Sequence, residues 1–398
     1  MTGSTISRPQ MSTAFVGFLL IGMASGAWGV LLPGVSAYYH VGRSVVGLLF
    51  FASATGYILS ALGTGPLTAK LGQRGYLVIG TALFLFCCVS FSLKPPFVLA
   101  LLVRLFQGMA GAMIEAGLNL LLVALPNNTA LLNALHAFGG AGTLAGPLIA
   151  STLLAFGWGW NAAFLAWALL ALPLLVGLLT LFPRSSSSVG NAEQRGKKER
   201  TLLIIVKMPM VWFTALFLLF YVGVEVSLGD WGYTFLTENR GANVELAGGI
   251  MSGYWLGLIL GRFILNFIAR RVHLSLSGQM NTCIVGMIFG ILMIWFIPSV
   301  VASAAAFFVV GTFLGPIYPS TVAMLPNIVK RNLVEDAMGF LLGMSILGGA
   351  LFPWVAGTLA QYRSIGALSP YALSLTVVML ALWWAMRRGL QSSSQENG

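Results

Sequence analysis

The chain has 398 residues, of which 58% are hydrophobic and only 8% charged, and its formal net charge is +11. A soluble domain carries about 25% charged residues, so this composition excludes a soluble globular protein and the nucleic-acid partner that a basic soluble chain would invite. Each membrane span needs about 20 mostly apolar residues, which leaves room for about twelve spans joined by short loops.

The first apolar run, about residues 12–32, follows a short tail carrying Arg8. It is too long for a signal-peptide core and has no small-residue cleavage site, so it is expected to be a retained span. Further spans are predicted at about 44–67, 76–93, 97–124, 133–156 and 162–182. Residues 183–207 then form a long polar segment, whose serine run and charge cluster predict a linker. Six more spans are expected at about 210–236, 246–269, 276–297, 301–324, 337–360 and 368–386. The expected organisation is an all-α membrane protein of twelve transmembrane helices in two six-helix bundles. Residues 1–182 form the first bundle, 183–209 a cytoplasmic linker and 210–398 the second.

Basic residues predict the orientation. With the N-terminus in the cytoplasm, the cytoplasmic segments hold Arg8, Lys70 and Arg74, the linker cluster, Arg270 and Arg271, Lys330 and Arg331, and Arg387 and Arg388. The outer loops hold only Arg43, Lys94, Arg240 and Arg363. The positive-inside rule therefore places both termini and the linker in the cytoplasm of a multi-pass protein of the cell (inner or plasma) membrane.

The halves echo one another. The fourth span ends in Leu122-Val-Ala-Leu-Pro-Asn-Asn128 and the tenth in Val322-Ala-Met-Leu-Pro-Asn-Ile328, each followed by a glycine-rich span that contains a proline. Weak repetition between six-span halves predicts a transporter built from two related bundles. A central cavity is expected, lined by the first, fourth, seventh and tenth spans.

The fourth span carries Arg104 and Glu115. A charge near the middle of a membrane helix costs at least ~2.5–3.5 kcal/mol on insertion scales, so it is rarely there without a use. At ~100° per residue, the step from Arg104 to Glu115 returns to within ~20° of the same direction. Gln107, Gly108, Gly111 and Asn119 fall near that stripe, which is expected to face protein or water.

Arg104-Leu-Phe-Gln107-Gly108 resembles the RxxQG motif in the fourth helix of the major facilitator superfamily. Gly65-Pro-Leu-Thr-Ala69-Lys70-Leu-Gly72-Gln-Arg74 resembles the superfamily's loop GxLaDRxGRR, with Ala69 at the position of the usual acid. Within the superfamily the chain is similar to the fucose–galactose–glucose:proton symporter family. That likeness is carried by Gly311-Thr-Phe-Leu-Gly-Pro316-Ile-Tyr318-Pro319, Asn133-Ala-Leu-His136-Ala-Phe-Gly139, Tyr221-Val-Gly-Val-Glu225 and Glu115. The first-helix acid of fucose permease-like proteins has no counterpart in residues 17–34. The resemblance implies a secondary transporter working by alternating access.

Of the ten acids, only Glu115, Glu225 and Asp230 fall within spans. A carboxyl in a low-dielectric site resists ionisation, so it can bind and release a proton as water access alternates. Glu115 and Glu225 are therefore the proton-coupling candidates, with Glu115 favoured. The alternative is a structural carboxyl paired to Arg104 or hydrogen-bonded to a neighbouring helix. Asp230 lies nearer the outer mouth, where gating or interfacial pairing is expected. Arg262 is read as bracing or snorkelling, with anion contact as the alternative. Asn133 and His136 are read as helix-contact residues, although His136 is able to titrate.

Sugars are held by amides, carboxylates and aromatic faces. Arg104, Asn119, Trp28, Tyr221, Tyr254, Trp255 and Tyr318 are the candidates for contacting a solute. Trp231 supplies a similar group, but many tryptophans belong to the interfacial belts. Cys87, Cys88 and Cys283 lie in apolar runs at spacings that fit neither a disulfide framework nor a metal site. The sequence contains no nucleotide-binding loop or nucleophile triad, so no enzyme activity and no cofactor are expected.

The leading reading is a symporter of a small polar solute, a sugar, with protons; sodium is an alternative ion. An exporter of amphipathic compounds or drugs is the alternative within transport. A non-transporting sensor, scaffold or lipid scramblase is the alternative outside it. The expected partners are the solute, protons and the lipid bilayer, and the expected state is a monomer.

Overall fold

A chain this apolar must satisfy its backbone N–H and C=O groups within each segment, because hydrocarbon offers no water to pair with them. The structure, a computed structural model, is accordingly helical almost throughout the residues it describes, which are 7–123, 125, 128–183 and 204–396. Most of the expected linker lies outside the described residues, as do Ala124, Pro126 and Asn127 of the first repeated loop.

Two compact units emerge, Met1–Gly190 with Asn243–Ser252, and Asn191–Ala242 with Gly253–Gly398. The first contains α1 (Arg8–Gly26), α2 (Trp28–Tyr39), α3 (Arg43–Val46), α4 (Leu48–Ser92), α5 (Phe97–Val123), α6 (Asn128–Ala155) and α7 (Asn161–Leu181). Next come α8 (Pro209–Arg240), α9 (Val244–Arg271), α10 (Leu276–Phe296), α11 (Val300–Leu314), α12 (Ile317–Ala323), α13 (Leu325–Ile328), α14 (Val334–Tyr362) and α15 (Leu368–Glu396).

The predicted spans map onto these helices with three differences, one of them in the tenth span, which breaks at Gly315 and Pro316 into α11 and α12. The first span is not continuous: α1 and α2 meet at a 51° bend around Ala27. The second and third spans run together as α4, which has 45 residues. At 1.5 Å per residue, α4 would exceed the ~30 Å hydrocarbon core more than twofold if it were one span. The chain turns inside it at Gly72, whose φ of 69° is one that side chains rarely adopt. Counting the bent pair as one span and α4 as two gives the twelve expected spans.

Glycines set how closely the helices approach. In the first unit, a Cβ on Gly56 would sit on the Leu105 carbonyl oxygen and one on Gly108 on that of Ser53, so α4 and α5 touch backbone to backbone. Gly22 and Gly26 of α1 make the same approach to α6, and Gly142 and Gly146 of α6 return it. In the second unit, Gly257 and Gly261 of α9 lie against α11, and Gly311 lies against Tyr254. Small residues at crossings are what membrane helices use where no hydrophobic force drives them together.

The loop inside α4 has a separate structural role. Arg74 donates from Nε to the Leu178 carbonyl at 3.1 Å and also bonds that of Leu179. Gln10 donates to the Leu181 carbonyl at 2.8 Å. These bonds satisfy carbonyls at the C-terminus of α7, where the helix dipole also favours a cation.

Candidate functional site

In the first unit, the bend at Ala27 supplies the polar stripe of α5 with its main partner. Trp28 opens α2 and is 2% exposed, with the Arg104 guanidinium 4.2 Å from its ring centre. Arg104 also donates from Nη1 to Gln107 Oε1 at 2.7 Å. Gln107 in turn donates to the Cys88 sulfur at 3.8 Å. A desolvated cation over an indole gains about 2 kcal/mol, comparable to the insertion cost of the charge. Trp28 therefore holds Arg104.

Glu115 is half-buried and accepts a 3.0 Å hydrogen bond on Oε2 from the Tyr57 hydroxyl of α4. It lies eleven residues from Arg104 on the same helix, about 16 Å along the axis, so the two do not pair directly. One turn before Glu115, a Cβ on Gly111 would meet nothing within 4 Å. Gly111 shares its helix face with two charged side chains, Arg104 and Glu115. Asn119 donates to the Glu115 backbone carbonyl at 3.0 Å. His136 is exposed on α6, its ring edge-on to Phe18 at 5.2 Å.

Nothing in the sequence singles out Tyr57, because a tyrosine in an apolar run has many packing roles. Only the register between α4 and α5, fixed by the Gly56 and Gly108 contacts, pairs it with Glu115.

The second unit has its own cluster. Tyr221 of α8 is fully buried, and its hydroxyl donates to the Leu314 carbonyl at 3.2 Å. Leu314 ends α11 at the break through Gly315 and Pro316, so Tyr221 satisfies a carbonyl at a helix terminus. Tyr221 lies beside the Glu225 side chain, which also lies in the field of Arg262. Tyr318, just past the break, has its ring 6.0 Å from that of Tyr221. Tyr254 is fully buried and donates to the Glu225 backbone carbonyl at 2.8 Å. Trp255 lies on Gly229, one turn beyond Glu225.

Asp230 is buried near that turn. Trp231 donates to the Pro353 carbonyl at 2.7 Å, which ties α8 to α14. Arg262 is exposed, and its backbone carbonyl accepts from the Asn266 amide at 2.6 Å. The structure thus places Arg104 with Trp28 and Glu115 with Tyr57 in the first unit. In the second it groups Tyr221, Glu225, Tyr254 and Tyr318. His136 and Asn133 belong to neither group. Among the described residues, no cluster of His, Cys, Asp or Glu has metal-site geometry.

If the Trp28–Arg104–Gln107 contact organises the stripe, Arg104→Leu should insert and express normally yet lose at least ~10-fold in transport rate. Arg104→Lys should recover little of it, because a lysine ammonium lacks the planar fork that meets ring and amide together. Transport per inserted molecule is the readout. A well-expressed Leu variant with native rates would reduce Arg104 to a packing role.

The sequence profile of the Major Facilitator Superfamily matches residues 14–303. The protein called Bypass of stop codon protein 6, of Saccharomyces cerevisiae, is 24% identical over 421 residues, covering 95% of this chain and 82% of that protein. The glucose/mannose transporter GlcP of Bacillus subtilis is 18% identical over 381 residues, covering 93% of each chain. The crystal structure of the nucleoside transporter NupG has the same fold, with a TM-score of 0.74 at 15% identity over 96% of this chain and 99% of that one.

Proposed function

We propose that this chain, which belongs to the Major Facilitator Superfamily, is a secondary transporter that carries a small polar solute, a sugar, together with protons by alternating access. One observation supports this most directly: each unit holds an intramembrane carboxyl beside a tyrosine, Glu115 bonded to Tyr57 and Glu225 next to Tyr221. A scaffold has no need for two such acids, given what each costs to insert. The similarity to a transporter named for glucose and mannose favours a sugar over an amphipathic compound.

Hydrogen-bond counting gives Glu225 a specific task. A phenol has one proton to donate. With Glu225 protonated, the carboxyl can donate to the adjacent Tyr221 oxygen, and Tyr221 keeps its own proton on the Leu314 carbonyl. With Glu225 ionised, the carboxylate draws the phenolic proton, and the carbonyl at the α11–α12 break loses its partner. An unmade buried bond costs about 1–3 kcal/mol, enough to bias a conformational equilibrium about fivefold to more than a hundredfold. Proton occupancy is thereby linked to the shape of the tenth span. Coupling falls to Glu225 on this account, whereas the sequence alone favours Glu115.

Glu115, Arg104 and Asn119 then belong to the solute path of the first unit, and Trp255 and Tyr318 to that of the second. Trp28, Tyr221 and Tyr254 position these groups from buried sites. Asp230, Arg262 and His136 serve gating or structure. Both termini and the linker face the cytoplasm, and the monomer is the working unit. A thermal-shift panel of hexoses, nucleosides and amphipathic drugs on purified protein, run at two pH values, tests the solute class. A hexose is expected to raise the midpoint in a pH-dependent way. Shifts from amphipathic drugs alone would overturn the sugar assignment.

A further inference from the structure

The start of α8 carries features that the transport reading does not use. A groove of about 350 Å³ is lined by Lys207, Pro209, Trp212, Phe213 and Leu216. Its wall is built, because the Trp212 indole donates to the Val206 carbonyl at 2.8 Å and its ring meets Phe340 edge-on at 5.1 Å. Lys207, Trp212 and Phe213 are all exposed. Apart from the lysine, the lining is apolar.

The charge around it is mostly basic, against Glu335 and Asp336 in the turn before Phe340 on α14. A Cβ on Gly389 would press on the Met210 side chain, so the end of α15 lies beside the start of α8. That end carries Arg387 and Arg388, both exposed. In sequence, Arg195, Lys197, Lys198 and Arg200 precede the groove, against Glu193 and Glu199. These six lie outside the described residues, and their net charge in sequence is positive. Basic clusters flanking a membrane helix attract anionic lipid, with about 1 kcal/mol for each Lys or Arg near the surface. Exposed tryptophan at a span's end suits the headgroup level.

We infer that this groove binds one anionic phospholipid, its acyl chain against Trp212, Phe213 and Leu216 and its headgroup phosphate at Lys207, with Arg387 and Arg388 adding attraction. The site is independent of the solute path, and its failure would leave the transport reading untouched.

Native mass spectrometry of the full chain in mild detergent, titrated separately with phosphatidylglycerol and phosphatidylcholine, tests it. The native chain should retain one phosphatidylglycerol at least about fivefold more tightly than phosphatidylcholine. Lys207→Gln should weaken phosphatidylglycerol binding about fivefold. The triple variant with Arg387→Gln and Arg388→Gln should abolish the preference while leaving phosphatidylcholine retention as it was. Lys94→Gln, at a basic residue of the first unit, should change nothing. Equal retention of the two lipids by the native chain would overturn the site. So would an unchanged preference in the triple variant, or an equal loss in Lys94→Gln.

Discussion

Glu225→Gln is expected to abolish solute accumulation against a gradient while leaving solute exchange across equilibrated membranes intact. The glutamine amide keeps a donor toward Tyr221, so Tyr221 stays on the Leu314 carbonyl and the α11–α12 break keeps its protonated-state arrangement. The substitution removes the titration. At one proton per solute, a difference of one pH unit supplies about 1.4 kcal/mol and supports about tenfold accumulation. The variant should fall to a ratio of about one at every imposed gradient, with counterflow within about twofold of native. Glu115→Gln, by contrast, should weaken solute binding itself and depress both assays together. Measuring accumulation and counterflow in the same vesicles separates the two outcomes. If both variants concentrate solute with normal pH dependence, neither acid couples protons.

A second large effect is expected at Gly108, and a small one three residues away. A Cβ on Gly108 would occupy the position of the Ser53 carbonyl oxygen, whereas one on Gly111 would touch nothing. Gly108→Val therefore has to push α4 and α5 apart, against the reciprocal contact of Gly56 on Leu105. Overpacking costs about 1–3 kcal/mol where side chains can give way; here the obstacle is backbone, so at least ~3 kcal/mol is expected. Separation of these helices also draws Tyr57 away from Glu115. Gly111→Ala should instead leave stability level or raise it by up to about 1 kcal/mol through helix propensity. Thermal unfolding of the purified variants, read by monodispersity, checks the contrast. Equal tolerance at the two glycines would contradict the close approach.

The twelve spans were legible because each is an apolar run of the length a bilayer demands, and the polar stripe of α5 because Arg104 and Glu115 recur on one helical face. The bend at Ala27 falls in a stretch flanked by Gly26 and Gly29, with Pro33 just inside α2. What stayed hidden depends on pairing between helices. Tyr57 becomes the partner of Glu115 only through the α4–α5 register. Trp28, Tyr221 and Tyr254 read in sequence as solute-facing aromatics, yet all three are buried, since periodicity gives a face without saying what covers it. Leu314 has no polar side chain to draw notice, and it matters through the carbonyl that the Gly315–Pro316 break exposes.

Proton-coupled sugar transport by this chain rests most directly on one quantity, the response of hexose uptake to an imposed pH gradient in proteoliposomes of the purified protein. The account predicts transient accumulation of the solute above its external concentration when the inside is made alkaline. That accumulation should collapse with a protonophore, persist in sodium-free buffer and be absent in Glu225→Gln. Uptake that only equilibrates, or that concentrates solute with a sodium gradient and not a pH gradient, would contradict it.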